Sequence, residues 1–176
     1  MRIISGKYRG KQIHPPARFK ARPTTDFAKE NLFNILANHH HLEDMEVLDL
    51  FSGTGSMSYE FVSRGAASVL AIELNQQHFR FILDTARDLH MDRLDVIRSD
   101  VFRFLQKPPQ SFDLIFADPP YDHPRLPELP DLIFASSVLS QQGTFILEHP
   151  SSVSFTAHMR YQEQRKYGSV NFSFFN

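Results

Sequence analysis

The chain has 176 residues, 41% of them hydrophobic and 22% charged, which is the balance of a single folded domain rather than of a disordered or fibrous protein. It has no cysteine, and this excludes disulfide bonds, thiolate nucleophiles and cysteine-based metal sites. No apolar run approaches the roughly 18 residues of a membrane-spanning helix, and the early basic residues interrupt any apolar stretch of a secretory leader. We therefore expect a cytoplasmic protein, monomeric by default.

The net charge of −1 conceals an uneven distribution of charge along the chain. Residues 1–30 hold eight basic and two acidic residues, whereas the remainder holds eleven basic and eighteen acidic ones. We expect residues 1–40 to form a basic extension, a hairpin plus a helix, packed on a domain of residues 41–176. A basic segment on an acidic body predicts contact with a polyanion, the alternative being a solvated arm without a partner. The candidate contacts are Arg2, Lys7, Arg9, Lys11, Arg22 and Thr24.

The extension contains turn and helix signals but little apolar sequence. Gly6 and Gly10 punctuate residues 1–13 and predict a short hairpin, and two prolines at 15–16 then interrupt regular structure. A helix is predicted to begin near Thr24 or Thr25, since threonine is a good N-cap. The three histidines at 39–41 are predicted to be a polar linker, and no metal site is expected.

From about residue 46, apolar strands alternate with helices. Strands are predicted at 47–51, 68–73, 94–98, 112–117 and 143–148, and helices at about 56–63, 76–89, 101–105 and 126–139. Because the strands are apolar throughout, they predict a parallel sheet covered by helices on both faces. The tail at 160–165 and 169–175 is rich in β-forming residues and is predicted to complete the sheet as an antiparallel hairpin.

A glycine loop follows the first strand of this α/β pattern. Strand-to-helix turns are where open α/β sheets bind ligands, and glycine allows the backbone to approach them closely. The candidate cofactor-binding residues here are Asp49, Phe51, Ser52, Gly53, Thr54 and Gly55. A dinucleotide loop would have a third glycine at position 58, where this chain has Ser58, so a nicotinamide or flavin cofactor is disfavoured.

Acidic residues also close the next two strands. Glu73 ends the second strand and is predicted to accept both hydroxyls of a ribose, while Asp100 follows the third and is predicted to accept from an adenine amine. Val101 is predicted to line the adenine ring. Carboxylates at three consecutive strand ends are difficult to explain structurally, because buried positions rarely select charged groups.

The fourth strand is followed by the tetrapeptide D-P-P-Y, formed by Asp118, Pro119, Pro120 and Tyr121. The prolines stiffen the backbone, so that the Asp118 carboxylate and the Pro119 carbonyl can accept hydrogen bonds from one planar amine. The Tyr121 ring offers a face on which a base can stack. An amine held this way directs its lone pair at an electrophilic methyl group. A proline-stiffened loop without function is the alternative.

These motifs resemble S-adenosylmethionine-dependent methyltransferases that act on exocyclic amines of nucleic acid. A closer resemblance, to bacterial 16S ribosomal RNA guanine-N2 methyltransferases, covers nearly the whole chain. It rests on residues 1–6 (M-R-I-I-S-G), 22–24 (R-P-T), 30–34 (E-N-L-F-N), 49–55 (D-L-F-S-G-T-G), 63–66 (S-R-G-A) and 167–168 (Y-G). The chain departs from that family at Ser58 and Tyr59, where small residues are usual.

The resemblance implies a Rossmann-like class I methyltransferase with a mostly parallel seven-stranded sheet. It implies S-adenosylmethionine as cofactor, guanine N2 as acceptor, and ribosomal RNA, the small subunit or an assembly intermediate as partner. Three alternatives stay open: a DNA adenine or cytosine amino methyltransferase, a methyltransferase of protein amides, and a catalytically silent RNA-binding assembly factor. Only 55 residues follow Tyr121, which leaves no evident domain for reading DNA sequence.

Overall fold

The protein is built around one seven-stranded sheet flanked by helices. The computed structural model describes residues 1–17, 19, 26–39 and 41–176. The strands are β1 (Glu46–Leu50), β2 (Ser68–Glu73), β3 (Leu94–Arg98), β4 (Phe112–Ala117), β5 (Leu139–His149), β6 (Tyr161–Tyr167) and β7 (Val170–Phe175). The helices are α1 (Asp26–His39), α2 (Ser56–Ser63), α3 (Gln76–Asp88), α4 (Val101–Phe104) and α5 (Leu129–Ala135).

The strand order is β3-β2-β1-β4-β5-β7-β6. Strands β1 to β5 pair in parallel, whereas β7 pairs antiparallel with both β5 and β6. The order reverses between β1 and β4, which is the position where open α/β sheets bind ligands. The predicted Rossmann-like fold and the antiparallel C-terminal hairpin are both confirmed.

Alternate residues of each central strand contribute to two separate apolar cores. Val47 packs with α1, α2 and α3 on one face of the sheet, while its neighbour Leu48 packs with α4 and α5 on the other. The same alternation separates Phe145 from Ile146 in β5. Burial on both faces explains why these strands carry continuous apolar sequence rather than alternating polar residues.

The described part of the N-terminal extension forms a short antiparallel pairing and packs on α2. Arg2 and Gln12 form an antiparallel bridge, and backbone hydrogen bonds between residues 1–3 and 10–13 flank it. The backbone amides of Ile4 and Ser5 donate to the Glu60 carboxylate, at 2.8 and 3.1 Å. The predicted helix start at Thr24 or Thr25 lies outside the described residues, and α1 is described from Asp26.

Several other predicted elements have different bounds in the structure. The helix expected over 126–139 is a 3₁₀ turn (Leu126–Glu128) followed by the short α5. Each has a proline in its first turn, where the amide hydrogen that proline lacks would have no partner within the helix. Strand β5 begins at Leu139, earlier than the predicted residue 143. Strand β1 ends at Leu50, because Phe51 turns into the left-handed region with φ of 59°.

Candidate active site

A cavity of about 710 Å³ opens at the carboxyl ends of β1, β2, β4 and β5. Twelve of the thirteen residues predicted to act in catalysis or cofactor binding line it: Asp49, Phe51, Ser52, Gly53, Thr54, Glu73, Asp100, Val101, Asp118, Pro119, Pro120 and Tyr121. Gly55 does not. Parallel strands bring their carboxyl ends to one edge, so side chains far apart in sequence share this space.

The glycine loop is a succession of left-handed residues. Phe51, Gly53 and Gly55 have φ of 59°, 55° and 82°. A side chain on Gly55 would also place its Cβ 2.7 Å from the ring of Tyr59. Gly55 therefore serves the turn and its packing on Tyr59, a buried residue of the core, rather than the cavity wall. The bulky Tyr59 is accommodated because position 55 has no side chain.

Glu73 connects the end of β2 to the glycine loop. Its carboxylate accepts hydrogen bonds from the backbone amides of Gly53, at 2.8 Å, and Asn75, at 2.6 Å. Burial raises the pKa of Glu73 above its ordinary value, and these amide bonds oppose the rise. The carboxylate thus has a structural role that the sequence analysis did not anticipate, beside its place in the cavity wall.

Asp100 also has a structural partner. It is the N-cap of α4, and its Oδ1 accepts a hydrogen bond from the Arg103 amide at 3.0 Å. The cap uses one oxygen of the Asp100 carboxylate as an acceptor, and the other oxygen takes no part in the cap. Val101, the first residue of α4, is buried against the cavity.

Asp49 is buried at the centre of the site, with 1% of its surface exposed. The hydroxyl of Ser58 donates to its carboxylate. Burial raises the pKa of Asp49 to about 7, and the hydrogen bond from Ser58 opposes the rise. Ser58, the position at which this chain departs from the family it resembles, therefore supplies a polar partner for a buried acid.

Asp118 faces a second acid that the sequence analysis did not identify. Burial raises the pKa of Asp118 well above its ordinary value, and the charges of Glu148 and Asp49 raise it further. Glu148 is buried in β5, lines the cavity and accepts a hydrogen bond from the Tyr121 hydroxyl at 2.9 Å. An acid near the end of an apolar strand was the available signal for Glu148, as it was for Glu73.

Aromatic rings border the cavity beside α4. His123 stacks on Phe102 with ring centroids 5.0 Å apart, and Phe51 contacts His123 at 6.1 Å. The Arg125 guanidinium lies 4.0 Å above the centre of the Phe102 ring. These contacts make a flat, partly apolar wall next to Val101.

The described members of the predicted polyanion-binding set lie outside the cavity. The side chains of Lys7, Arg9 and Lys11 are exposed on the turn that packs on α2. Arg2 is half exposed and lies 3.8 Å from Asp26. Arg22 and Thr24 lie outside the described residues.

Lys29, which the charge count includes among the basic residues of the extension, is buried. Its side chain is 1% exposed, and its ammonium donates to the Arg2 carbonyl and to the Ser56 hydroxyl, at 2.9 and 3.2 Å. It also lies 3.9 Å from the carboxylate of Glu60. Burial lowers the pKa of Lys29, opposed by the charges of Glu60 and Asp26. Lys29 is therefore an internal cation that joins α1 to α2.

Within the described ranges, no cluster of three or more His, Asp or Glu residues is arranged to hold a metal ion. None of the helices described is both long and apolar enough to cross a membrane.

A family model described as Conserved hypothetical protein 95 matches residues 1–176. The chain belongs to that family. One curated relative is the ribosomal RNA small subunit methyltransferase D of Buchnera aphidicola subsp. Baizongia pistaciae (strain Bp), 32% identical over 154 residues, which are 88% of this chain and 78% of the relative. The resemblance to ribosomal RNA methyltransferases stated from the sequence is thereby confirmed.

Solved structures show the same fold. The hypothetical protein TTHA0928 of Thermus thermophilus superposes with a TM-score of 0.86 and 26% identity, covering 100% of this chain and 99% of that one. The ribosomal protein L11 methylase of Lactobacillus delbrueckii subsp. bulgaricus has a TM-score of 0.67 and 18% identity, covering 87% and 80% of the two chains. The Conserved hypothetical protein 95 fold of this chain is thus the Rossmann-like fold that methyltransferases use.

Proposed function

We propose that this protein transfers the methyl group of S-adenosylmethionine to the exocyclic N2 of a guanine in the RNA of the small ribosomal subunit. The observation that carries the proposal is the convergence of the glycine loop, the acidic strand ends and the D-P-P-Y loop on one cavity. The name of the relative from Buchnera aphidicola supports ribosomal RNA as the substrate class.

The cavity suits S-adenosylmethionine in size and charge. Its volume of about 710 Å³ lies within the range of small-molecule sites. Burial raises the pKa of Asp49, Glu73 and Asp118, so the cavity wall holds three buried acids. Among the described groups, the His78 ring lies 3.8 Å from Glu73, but no lysine or arginine lies within ion-pair distance of any of the three, and they lack a permanently charged compensating cation. A ligand with a sulfonium and an ammonium group would supply that compensation. Bound there, it provides an electrophilic methyl group.

Residues of three strand ends are proposed to hold the cofactor. Glu73 accepts from the ribose hydroxyls while it keeps the amides of the glycine loop in place. Asp100 accepts from the adenine amine with the oxygen that does not cap α4, and Val101 packs on the ring. The aromatic wall of Phe102 and His123 lies beside the same position.

The D-P-P-Y loop is proposed to position the acceptor. The lone pair of guanine N2 is delocalised into the ring, so the amine is a weak nucleophile. The Asp118 carboxylate and the Pro119 carbonyl accept from its two N–H groups, and the half-exposed ring of Tyr121 stacks on the base. As the bond from N2 to the methyl carbon forms and the bond from that carbon to sulfur breaks, Asp118 would stabilise the developing positive charge on N2, whose proton is then released to water.

The exposed side chains of Arg2, Lys7, Arg9 and Lys11 are proposed to contact RNA phosphates. Arg22 and Thr24 are proposed to contribute from the segment outside the described residues. Such contacts give affinity that weakens with salt and carries little sequence information. Reaching N2 within paired RNA also requires base flipping, which costs a few kcal/mol and costs least in a loop or junction.

The test is methyl transfer from labelled S-adenosylmethionine to small ribosomal subunits that lack the modification, beside naked ribosomal RNA and duplex DNA. Digestion and mass spectrometry identify the methylated nucleoside. N2-methylguanosine from a ribosomal substrate is the expected product. Methyladenine or methylcytosine from DNA would favour the DNA methyltransferase, and bound cofactor without transfer would favour the assembly factor or a protein substrate.

A further inference from the structure

We infer that Glu148 is the residue that selects guanine, by accepting a hydrogen bond from ring N1–H while Asp118 holds the neighbouring N2 amine. The inference rests on the proposed function and adds to it the group that distinguishes guanine from adenine and cytosine.

The sheet register sets Glu148 beside Asp118. Ala117 of β4 pairs with Leu147 of β5, and the two acids are the next residues of these adjacent parallel strands. Neighbouring strands lie about 4.8 Å apart, and paired residues direct their side chains to the same face of the sheet. Both acids line the cavity. Their proximity is also evident in the charge of Glu148, which raises the pKa of Asp118.

Glu148 is a buried acid of the cavity wall. Glu148 is 4% exposed, and burying a carboxylate is costly unless the group is paired. The Tyr121 hydroxyl donates to its Oε1 at 2.9 Å, so the loop that would stack on the base also orients this carboxylate. Tyr121 would thus contact the face of the base and also orient the carboxylate that bonds to the edge of the base.

The donor pattern of guanine matches two adjacent carboxylates. Guanine presents N1–H and the N2 amine side by side as hydrogen-bond donors, whereas adenine and cytosine present a ring nitrogen lone pair beside their amine. That lone pair would face Glu148 without a proton between them. Sites built to bond a particular donor reject analogues that lack it by about 10⁴-fold or more. The acid pair therefore favours guanine over the acceptors of the DNA methyltransferase alternative.

The experiment removes the hydrogen-bond donor at N1 of the base and, separately, gives residue 148 of the protein a donor. The methylated guanine is first mapped in small-subunit RNA by mass spectrometry, and RNA assembled by ligation then carries either guanine or 2-aminopurine at that position. 2-Aminopurine keeps the N2 amine but has a lone pair at N1. The wild-type protein is expected to reject it. Glu148→Gln, whose amide can donate to N1, is expected to lower the ratio of kcat/KM for guanine to that for 2-aminopurine by about 100-fold or more.

Glu128→Gln is the matched control, because Glu128 is an exposed acid at the start of α5, paired with Arg125 at 2.8 Å. It should keep the wild-type ratio. Thermal unfolding and binding of S-adenosylmethionine establish that each variant is folded. Should Glu148→Gln not fold, Tyr121→Phe makes the same test, since it removes the bond that orients Glu148 and should also lower the ratio.

The outcomes separate this inference from the proposed function. A wild-type protein that methylates no RNA guanine overturns the proposed function. A wild-type protein that methylates guanine N2, together with a Glu148→Gln variant whose ratio is unchanged or which is equally inactive on both bases, overturns the role of Glu148 alone. A ratio of kcat/KM for guanine to that for 2-aminopurine that falls only in the Glu148 and Tyr121 variants supports the role of Glu148.

Discussion

The Ser58 hydroxyl donates a hydrogen bond to the carboxylate of Asp49, and both side chains are buried. Because the bond favours the charged form, it opposes the burial that raises the pKa of Asp49 to about 7. Removing the hydroxyl should therefore raise this pKa further. The Ser58→Ala variant leaves an acid in the interior without this partner.

The consequence for stability has a definite sign. The folded protein holds the Asp49 proton more tightly than the unfolded chain, so the stability linked to Asp49 falls as pH rises from about 4 to about 7. Ser58→Ala should extend this fall to higher pH. We expect a loss of about 1–3 kcal/mol in the free energy of unfolding at about pH 8.5 and a smaller loss at about pH 5.5, measured in urea.

Ser140→Ala is the control for this prediction, since the Ser140 hydroxyl also donates to an aspartate, Asp113 at 3.2 Å, but outside the cavity and only partly buried. Its loss should be smaller, and nearly the same at both pH values. Equal losses at the two pH values in Ser58→Ala would show that Asp49 does not need the hydroxyl for its charged form.

Asp118 should govern the pH dependence of methyl transfer. Burial and the charge of Glu148 raise the pKa of Asp118 well above its ordinary value. Since the ionised carboxylate stabilises positive charge on N2 better than the neutral acid, the single-turnover rate should rise with pH. Asp118→Asn keeps an acceptor oxygen but no charge, so its rate should be about 10²- to 10³-fold lower and its pH profile flatter.

Asp118→Ala should abolish transfer and leave the affinity for S-adenosylmethionine, measured by calorimetry, largely unchanged. Retained turnover in this variant would remove Asp118 from the mechanism. Loss of cofactor affinity with an unaltered rate at saturation would make it a binding residue instead.

Glu60 and Lys29 form the buried charge cluster that holds the N-terminal segment on α2. Glu60 accepts from Ile4, Ser5 and, at 2.7 Å, the Arg64 guanidinium, and it lies 3.9 Å from the Lys29 ammonium. Glu60→Ala leaves a buried cation without its main counter-charge, at a cost of about 3–5 kcal/mol in unfolding free energy. Urea unfolding measures this loss, and limited proteolysis near residue 5 should become faster.

The exposed pair Arg125–Glu128 supplies the comparison, because Glu128→Ala should cost less than about 1 kcal/mol. Replacing both buried partners, as in Lys29→Met with Glu60→Gln, should recover part of the loss. If the loss of unfolding free energy in the double variant equals the sum of the losses in Lys29→Met and in Glu60→Gln, the charges of Lys29 and Glu60 are not coupled.

Sequence pattern alone predicts the central strands closely, because strands buried on both faces are continuous apolar runs with polar ends. The predicted bounds of β2 and β4 coincide with those of the structure, and so do those of β3, although it is a largely exposed edge strand. Parallel pairing then predicts that Asp49, Glu73 and Asp118 meet at one edge. The polar neighbours of these acids do not follow from pattern, because Ser58 and Glu148 reach the site only through the packing of α2 and β5.

The same limit applies to Lys29. Counted in the sequence, it belongs to a basic segment, but α1 directs it inward to the Ser56 hydroxyl. A charge count describes a surface only when every charged side chain is exposed. Among the basic residues described before residue 30, Lys29 alone is buried.

Two glycines of the N-terminal turn distinguish the cost of backbone strain from the cost of losing the contact with α2. Gly6 and Gly10 have φ of 82° and 83°, so alanine costs about 1–2 kcal/mol in conformation at either position. At Gly6, however, a Cβ would lie 1.7 Å from the Ser63 carbonyl oxygen, whereas at Gly10 it would meet no atom within 4 Å. Gly6→Ala should therefore also displace the turn from α2.

We expect Gly10→Ala to lower the free energy of unfolding in urea by the conformational cost alone, and Gly6→Ala to lower it by clearly more. Hydrogen exchange of the Lys7 amide, which donates to the Ser63 carbonyl at 2.7 Å, should accelerate only in Gly6→Ala. If Lys7, Arg9 and Lys11 contact RNA from this turn, Gly6→Ala should also weaken RNA binding while Gly10→Ala does not. Equal effects of the two substitutions would mean that the turn does not depend on its approach to Ser63.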